Sequence, residues 1–314
     1  MRNPVSTEVQ SYEGYYEFPF PPEEKKPTVI TKEETITEIY PPDQPFSSNI
    51  VWVWASTDQI SQTMFQLSPG AFFGPPDAHA GDEMYYVLNG TLTEIQPELG
   101  QVIQAEEGEA IHIPKGSFHQ SYNFGEEEVT ILCCIAPKMW EESGPAPEMD
   151  QKIKVYDPEE GAMKTDKTPD LDHLDFSDKP KTIDQLGEWP VDGELARERK
   201  AHVKIGKEDR LSVIHGREHP MKLEFIVSND YYHMAELELP SGGEGPRTSE
   251  PEVHDGDETI YVTDGPITLF FPDIPDSLEV PEGAVALIPE GTKHQYQNFT
   301  SHSVSGIFSI APDL

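Results

Sequence analysis

An internal repeat constrains the fold of this chain more than any other feature of its sequence. Residues 76–83 (PDAHAGDE) match residues 251–258 (PEVHDGDE) at a spacing of 175 residues. The same spacing relates further glycines, prolines, histidines and asparagines: Gly90 and Gly265, Gly108 and Gly283, Pro114 and Pro289, Gly116 and Gly291, His119 and His294, Asn123 and Asn298. A repeat of this length predicts two copies of one domain.

Each copy has the pattern of a protein built from short β-strands. Apolar or alternating stretches, such as residues 84–88 and 259–262, are followed by the tight-turn pairs Asn89-Gly90 and Asp264-Gly265. The 23 glycines and 30 prolines favour many short strands over long helices. The sequence therefore predicts an all-β protein of two tandem sandwiches or closed barrels.

The segments outside the repeat differ in composition from it. We predict an N-terminal arm over residues 1–40, a first barrel over 41–140, a connector over 141–214 and a second barrel over 215–314. The arm is rich in Pro, Glu and Lys, and the connector is polar and charged. A connector of this length is expected to pack onto a barrel or to carry function, and its pattern predicts a short helix near residues 183–186.

Composition excludes two classes of partner. With 22 basic and 58 acidic residues, the formal net charge of −36 would repel phosphate backbones, so nucleic acid is not expected. No apolar run approaches the roughly 20 residues that a membrane span needs. The polar start of the chain does not resemble a secretory signal, and the only cysteines, Cys133 and Cys134, are adjacent, so they point to opposite faces of a strand. We predict a cytoplasmic protein without a disulfide framework.

Histidine and glutamate recur at identical spacing in the two copies. Each copy has a histidine, a glutamate four residues later and a second histidine 36 residues after that, namely His79, Glu83 and His119, and His254, Glu258 and His294. Imidazole and carboxylate groups bind first-row transition metals, and two histidines with one carboxylate leave open coordination positions. Because a small barrel brings distant residues together inside it, we predict one metal site in each copy. The alternative is a vestigial site that binds nothing.

These residues fit the two sequence motifs of the cupin superfamily, and the chain resembles a bicupin. The second motif, Gly-x5-Pro-x-Gly-x2-His-x3-Asn, is complete in both copies, and in each the first motif's glutamate is followed by its glycine after six residues. The resemblance covers residues 41–140 and 215–314. It implies two double-stranded β-helix (jelly-roll) barrels and a homodimer formed through swapped N-terminal strands.

One position departs from the family pattern in both copies. The first histidine of the family's His-x-His is replaced by Asp77 and by Glu252. Either the acid ligates the metal in place of the imidazole, or it withdraws and leaves a two-histidine, one-carboxylate triad, which resembles iron-dependent epoxidases and oxygenases. We predict up to two divalent metal ions per chain, Fe(II) first, with Mn, Ni or Zn as alternatives.

Three residues are candidates for a catalytic role. Asp77 or Glu252 would serve as a general base if it does not ligate the metal. Tyr85 should face inward with Glu83, where it either contacts substrate or packs in the core. The remaining histidines, among them His112, lack partners at ligand spacing and are predicted to be structural or at the surface.

The sequence supports three functions. The first is a nonhaem Fe(II) (di)oxygenase acting on a small oxygenated organic molecule. The second is a metal-dependent isomerase or lyase acting on a sugar or hydroxy acid. The third is a non-catalytic cupin that binds or stores a small molecule or a metal. The substrate, the native metal and the number of active barrels stay open at this stage, because one fold hosts all three functions.

Overall fold

In a computed structural model of this chain, nearly all regular secondary structure among the described residues is β-strand. The structure describes residues 17–40, 49–139, 156–157, 162–163, 189–190, 193–216, 220–245, 251–274 and 276–314. Within these ranges there is one α-helix, α1 (Gly193–Arg199), and no helix there is long and apolar enough to cross a bilayer. The predicted all-β class is confirmed. The helix predicted near residues 183–186 lies outside the described residues.

The strands follow one another in the same order in the two copies. Those of the first half are β1 (Thr28–Ile30), β2 (Ile36–Tyr40), β3 (Asn49–Ser56), β4 (Ser61–Leu67), β5 (Phe72–Asp77), β6 (Asp82–Asn89), β7 (Thr91–Gln96), β8 (Gln101–Glu106), β9 (Ala110–Ile113), β10 (His119–Tyr122) and β11 (Val129–Ala136). A separate two-stranded ribbon follows, made of β12 (Tyr156–Asp157) and β13 (Ala162–Met163).

The strands of the second half begin after α1. They are β14 (Val203–Ile205), β15 (Leu211–His215), β16 (Met221–Ser228), β17 (His233–Leu239), β18 (Glu244–Gly245), β19 (Asp257–Asp264), β20 (Ile267–Phe271), β21 (Asp276–Val280), β22 (Val285–Ile288), β23 (Gln295–Gln297) and β24 (Val304–Ala311).

Each half forms a barrel of one seven-stranded and one four-stranded sheet. In the first barrel the strand orders are β14-β9-β6-β11-β4-β3-β2 and β5-β10-β7-β8. In the second they are β1-β22-β19-β24-β17-β16-β15 and β18-β23-β20-β21. Because each pair of sheets encloses one interior, both halves are jelly rolls. The predicted pair of jelly-roll barrels is confirmed.

The two barrels exchange one strand each. β1, which precedes the first barrel in sequence, pairs with β22 of the second barrel, and Val29 lies opposite Ala286. β14, which precedes the second barrel, pairs with β9 of the first barrel, and Lys204 lies opposite Ile111. In each large sheet, a strand from the segment that leads into the other barrel therefore covers an edge: β1 covers β22, and β14 covers β9. The exchange expected between two subunits occurs here within one chain, and the homodimer stays a prediction.

The repeat in the structure begins earlier than the sequence motifs do. β1, a 3-10 turn at Lys32–Glu34 and β2 lie 175 residues before β14, the 3-10 turn at Lys207–Asp209 and β15. These elements fall in the predicted arm and connector, so parts of both segments are strands of the large sheets. The boundaries at residues 40, 140 and 214 stay predictions.

Apolar side chains fill each barrel and also the layer between the barrels. Alternation along β11 divides its side chains, so that Cys133 faces the interior of the first barrel and Cys134 faces the second barrel. The layer between the barrels includes Trp54, Met84 and Leu132 from the first barrel and Ile226, Met234 and Leu287 from the second. Both cysteines are buried and free. Because the outer faces of the large sheets pack together, the inner faces are left to build the sites.

Candidate metal centres

The first donor cluster lies inside the first barrel. Asp77 is the last residue of β5 and His119 the first of β10, and these two residues are partners in the register of the two strands. Glu83 lies at the start of β6, and His79 lies in the connection between β5 and β6. The antiparallel pairing of β5 with β10 therefore brings together side chains that are distant in sequence, as the repeat predicted.

Distances in this cluster are those of groups that converge on one point. The Nε2 atom of His119 lies 3.1 Å from Oε2 of Glu83 and 3.3 Å from Oδ1 of Asp77. The Nε2 atom of His79 lies 3.5 Å from the same glutamate oxygen. One ligand atom each from Asp77, His79 and His119 lies within 4.8 Å of the others.

The second cluster repeats the arrangement in the second barrel. The Nε2 atom of His294 lies 3.0 Å from Oε2 of Glu258, and the Nε2 atom of His254 lies 3.5 Å from it. The main chains of Glu252 and His294 exchange two hydrogen bonds, which aligns these residues as Asp77 and His119 are aligned. The carboxylate of Glu252 is farther away, with its Oε2 atom 4.0 Å from Nε2 of His294.

Each glutamate is oriented by a hydrogen bond to one of its two oxygens. In the first barrel the Sγ atom of Cys133 donates to Oε1 of Glu83 at 2.9 Å. In the second, the hydroxyl of Tyr296 donates to Oε1 of Glu258. In both cases the buried Oε2 atom makes no hydrogen bond to the described residues, although it faces two imidazoles. A buried carboxylate oxygen that lacks a hydrogen bond is costly unless another group, such as a cation, satisfies it.

The later histidine of each cluster is also oriented. The Nδ1 atom of His119 lies 3.3 Å from the carbonyl oxygen of Ser117, and that of His294 lies 3.0 Å from the carbonyl oxygen of Thr292. A protonated Nδ1 that donates to a carbonyl leaves Nε2 as the lone-pair atom, which is the usual arrangement of metal-ligating histidines.

The charge balance in both clusters favours a cation. Burial lowers the pKa of His119, but the carboxylates of Glu83, Asp77 and Glu94 outweigh this effect and raise it to about 9. For His294, burial also acts downward, and Glu258 and Glu252 raise the pKa to about 9. In each cluster, the carboxylates therefore stabilise positive charge at the imidazoles, and a metal ion supplies such charge.

Both donor sets fit a divalent transition metal. Two ligands about 2.1 Å from one ion and at right angles to each other lie about 3 Å apart, which is close to the shortest separations observed. Cys133 does not add a ligand, because burial and the carboxylate of Glu83 raise the pKa of its thiol and metals bind the thiolate. Nitrogen and oxygen donors without thiolate suit Fe(II), Mn, Ni or Zn better than soft ions.

The acids that replace the family's first histidine behave differently in the two barrels. Asp77 faces the cluster directly. Glu252 is shared, because its Oε1 atom lies 2.8 Å from Nε2 of His215 on β15 while Oε2 faces His294. The prediction that histidines outside the motif spacing are structural or at the surface is not contradicted for His215, whose side chain is partly exposed. No sequence signal identified its contact with the donor cluster, because its partner lies in a separate segment 37 positions later.

Polar groups surround the first cluster. Tyr85 faces the interior with Glu83, as predicted, and its ring lies edge-on to His119 with the centroids 6.0 Å apart. Burial and the nearby Glu83 hold the pKa of this phenol well above its ordinary value, so it stays neutral. The carboxyl of Glu94, which sequence reasoning missed, is fully buried nearby and accepts a hydrogen bond from Ser121.

A cavity of about 180 Å³ adjoins the second cluster. Its polar lining residues are His215, Glu252, His254, Glu258 and Tyr296, and its other lining residues are apolar. The cavity therefore connects the donor cluster to an apolar space.

Other histidines have local partners. His112 lies 3.3 Å from Asp82, and His233 lies 2.7 Å from the hydroxyl of Ser228. Both side chains are buried outside the donor clusters, whereas His302 is exposed.

Known proteins resemble this chain at two levels. Residues 63–135, in the first barrel, match the model of the cupin domain family. A search of curated proteins with the sequence finds no match.

Several solved structures share the architecture of the whole chain. AerE of Microcystis aeruginosa is 8% identical with a TM-score of 0.55, and the match covers 90% of this chain and 98% of AerE. YlbA of Escherichia coli is 13% identical with a TM-score of 0.55, covering 92% of this chain and 91% of YlbA.

A variant of Bacillus subtilis oxalate decarboxylase is 15% identical with a TM-score of 0.57, covering 91% of this chain and 77% of that enzyme. Another structure of the same enzyme carries a title that refers to its Mn(II) centres. At these identities the structural matches establish the fold alone.

Proposed function

We propose that this chain, whose residues 63–135 match the cupin domain family, is a metal-dependent enzyme, specifically a nonhaem Fe(II) dioxygenase that acts on a small oxygenated organic molecule. The observation that carries this proposal is the duplicated donor cluster. In each barrel two imidazole Nε2 atoms lie 3.0–3.5 Å from the glutamate oxygen Oε2, which has no hydrogen bond to any described residue.

The residues that would hold the ions follow from this geometry. His79, Glu83 and His119 would hold one ion, and the corresponding residues of the second barrel would hold the other. Asp77 and Glu252 each supply a second carboxylate, and so a fourth donor group, near one set. A bound divalent metal would provide Lewis acidity, and Fe(II) would add the capacity to activate dioxygen.

The remaining groups would orient substrate and handle protons. Asp77 or Glu252 would accept a proton from a substrate hydroxyl when it does not bind the ion. Cys133 and Tyr296 hold their glutamates in one orientation, so that a single oxygen of each faces the imidazoles. Tyr85 would exclude water from the first centre as a buried neutral phenol.

The apolar cavity beside the second cluster favours the oxygenase over the isomerase or lyase. A sugar carries hydroxyls on most of its carbons, and hydroxyls buried against apolar side chains without partners are each costly. An oxygenase substrate with one polar end avoids that cost. Manganese is the first alternative metal, because the similar oxalate decarboxylase is described with Mn(II) and two carboxylates suit a hard ion.

Dioxygen uptake tests the proposal. The metal content of protein purified without added metal would first identify the native ion. The Fe(II)-loaded protein should then consume dioxygen in the presence of a substrate from a panel of small carbonyl and hydroxyl compounds, and the His254→Ala variant should lose this activity. Two bound metals without turnover of any compound would instead support the binding or storage function.

A further inference from the structure

We propose that the second barrel selects a ligand with a single oxygen-bearing end and an apolar body about the size of a six-membered ring, rather than a sugar, polyol or dicarboxylate. This inference rests on the proposed function, because it names the substrate class of the second centre.

The polar groups of the cavity are those of the donor cluster and its immediate partners. Tyr296 already donates to Glu258, and Glu252 already contacts His215. New polar contacts for a ligand are therefore concentrated at the metal centre, and this arrangement serves one polar end of a molecule.

Three strands supply all but one of the apolar lining residues, and the remaining one is Leu314. Val213 comes from β15; Met221, Leu223 and Phe225 come from β16; and Phe308 and Ile310 come from β24. Alternate residues of a strand share one face, and β16 and β24 each have a paired neighbour strand on both sides. Among the described residues, the side chains of this part of the cavity therefore offer no hydrogen-bond partner to a second polar group, and one hydroxyl placed there should weaken binding roughly tenfold or more.

The size of the cavity limits the apolar body. Its volume is about 180 Å³. An engineered apolar cavity of about 150 Å³ in another protein binds benzene, so the space here suits a body of about six to nine non-hydrogen atoms. Val213 and His215 are only partly buried, which gives the ligand a route of entry beside β15.

Binding of benzyl alcohol to the Zn-loaded full chain tests the inference without turnover. Ligand-observed NMR titrations should show saturable binding of benzyl alcohol and cyclohexanone but none of glucose or oxalate. Adding a ring hydroxyl, as in 4-hydroxybenzyl alcohol, should weaken binding at least about tenfold. Binding of glucose or oxalate as tight as that of benzyl alcohol would overturn the proposal.

Two variants locate the binding in the cavity. Leu223→Trp fills the space and should weaken benzyl alcohol binding at least about tenfold. Val51→Trp changes the corresponding position of β3 in the first barrel, because β3 and β16 begin 172 residues apart, and it should leave binding unchanged. Equal losses in both variants, or none in either, would contradict the assignment.

A cavity-enlarging variant keeps the test open if Leu223→Trp does not fold. Leu223→Ala should shift the preference from benzyl alcohol toward 4-tert-butylbenzyl alcohol, and an unchanged preference would overturn the proposal. Because these readouts need no dioxygen, apolar binding without oxygen uptake would reject the oxygenase alone. Oxygen uptake with a polyol substrate would reject the ligand class alone.

Discussion

The two barrels hold their donor clusters in the same place and surround them with different side chains. Four pairs of positions 175 residues apart illustrate the contrast: Tyr85 and Ile260, Glu94 and Leu269, Ser121 and Tyr296, Cys133 and Phe308. The first barrel has polar or ionisable groups at all four positions, and the second has three apolar groups and a tyrosine. The repeat therefore specifies where the donors lie, while the neighbouring positions determine what lies next to them.

Both barrels orient the glutamate of the donor cluster, but they use different hydrogen-bond donors to do so. Oxygen Oε1 of the glutamate accepts a hydrogen bond from a thiol on β11 in the first barrel and from a phenol on β23 in the second. Both arrangements leave Oε2 facing the histidines. The difference lies in the space around the cluster, where the second barrel has an apolar cavity and the first has a buried carboxyl group.

Loss of a ligand should have the largest effect and should show whether the barrels act independently. We expect His79→Ala and His254→Ala each to remove about one of two metal ions per chain, because each variant loses one of the two imidazole ligands of its centre. Elemental analysis of the purified variants measures this directly. If the substrate binds in the second barrel, His254→Ala should also abolish turnover while His79→Ala retains most of it. An unchanged two ions in either variant would contradict the assignment.

The stability of the first barrel should depend on pH through one buried carboxyl group, that of Glu94. Burial raises the pKa of Glu94 to about 8, although the charge of His119 and a hydrogen bond from Ser121 oppose it. Between its ordinary pKa of 4.5 and 8, the folded metal-free protein holds a proton that the unfolded chain has released. The contribution of Glu94 therefore falls as pH rises through this window, by up to about 5 kcal/mol.

Glu94→Gln removes this titration and isolates the contribution. Urea unfolding of the metal-free protein at pH 5 and at pH 8 should show a larger loss of stability for the natural chain than for Glu94→Gln. Glu106→Gln, at an exposed position on the next strand, serves as the control and should behave like the natural chain. Equal pH dependence of all three proteins would rule out the role of Glu94.

Two ion pairs should stabilise the fold, each joining the segment that leads into one barrel to a buried carboxylate of the other barrel. Arg197 on α1, which leads into the second barrel, lies 2.7 Å from the fully buried carboxylate of Asp82 in the first. Lys25, which leads into the first barrel, lies 2.8 Å from the fully buried carboxylate of Asp257 in the second. Arg197→Ala and Lys25→Ala should each cost about 3 kcal/mol of unfolding free energy, because each leaves a buried charge short of its partner.

An exposed partner of the same arginine provides the control for this measurement. Asp230 also contacts Arg197, at 2.6 Å, but it is largely exposed, so Asp230→Ala should cost less than about 1 kcal/mol. Chemical denaturation of the three variants gives the comparison. If Arg197→Ala lowers the unfolding free energy no more than Asp230→Ala does, the ion pair of Arg197 with Asp82 does not stabilise the first barrel.

The sequence predicted the donor clusters well because their spacing is repeated and the strands that carry them alternate regularly. It did not predict the strand exchange, since three-residue strands such as β1 and β14 carry too little pattern to identify a distant partner. A signal did exist: Ile30, Lys32 and Glu33 have identical residues 175 positions later. Extending the repeat upstream would have placed these segments in the sheets.

Groups contributed by other strands were the least predictable part of the site. Glu94 and His215 belong to no motif, and their positions follow from strand register and barrel closure. His215 lies on β15, an edge strand of the large sheet, whereas Glu252 lies in a segment that pairs with His294, just before β23 of the small sheet. Sequence spacing does not report such a contact.

His215 provides the finest test of the difference between the barrels. The contact with Glu252 raises the pKa of His215, so this contact favours the protonated imidazole. If this contact holds Glu252 toward the metal, His215→Phe should weaken metal binding at the second centre about tenfold. An effect of this size is typical when a residue that orients a metal ligand is removed. Competition with a chelator measures the affinity in a His79→Ala background, where the second centre alone binds metal.

The direction of the change decides between the two ways in which an acid can replace the missing histidine. Weaker binding in His215→Phe, with recovery in His215→Gln because an amide still donates to Glu252, would mean that Glu252 is a ligand supported by His215. Tighter binding would mean that His215 keeps the acid away from the ion and that the second centre is a two-histidine, one-carboxylate triad. We expect no such choice at the first centre, because Asp77 already lies 3.3 Å from His119 and faces the cluster. Asp77→Ala should therefore weaken binding there whichever way His215→Phe changes the second centre.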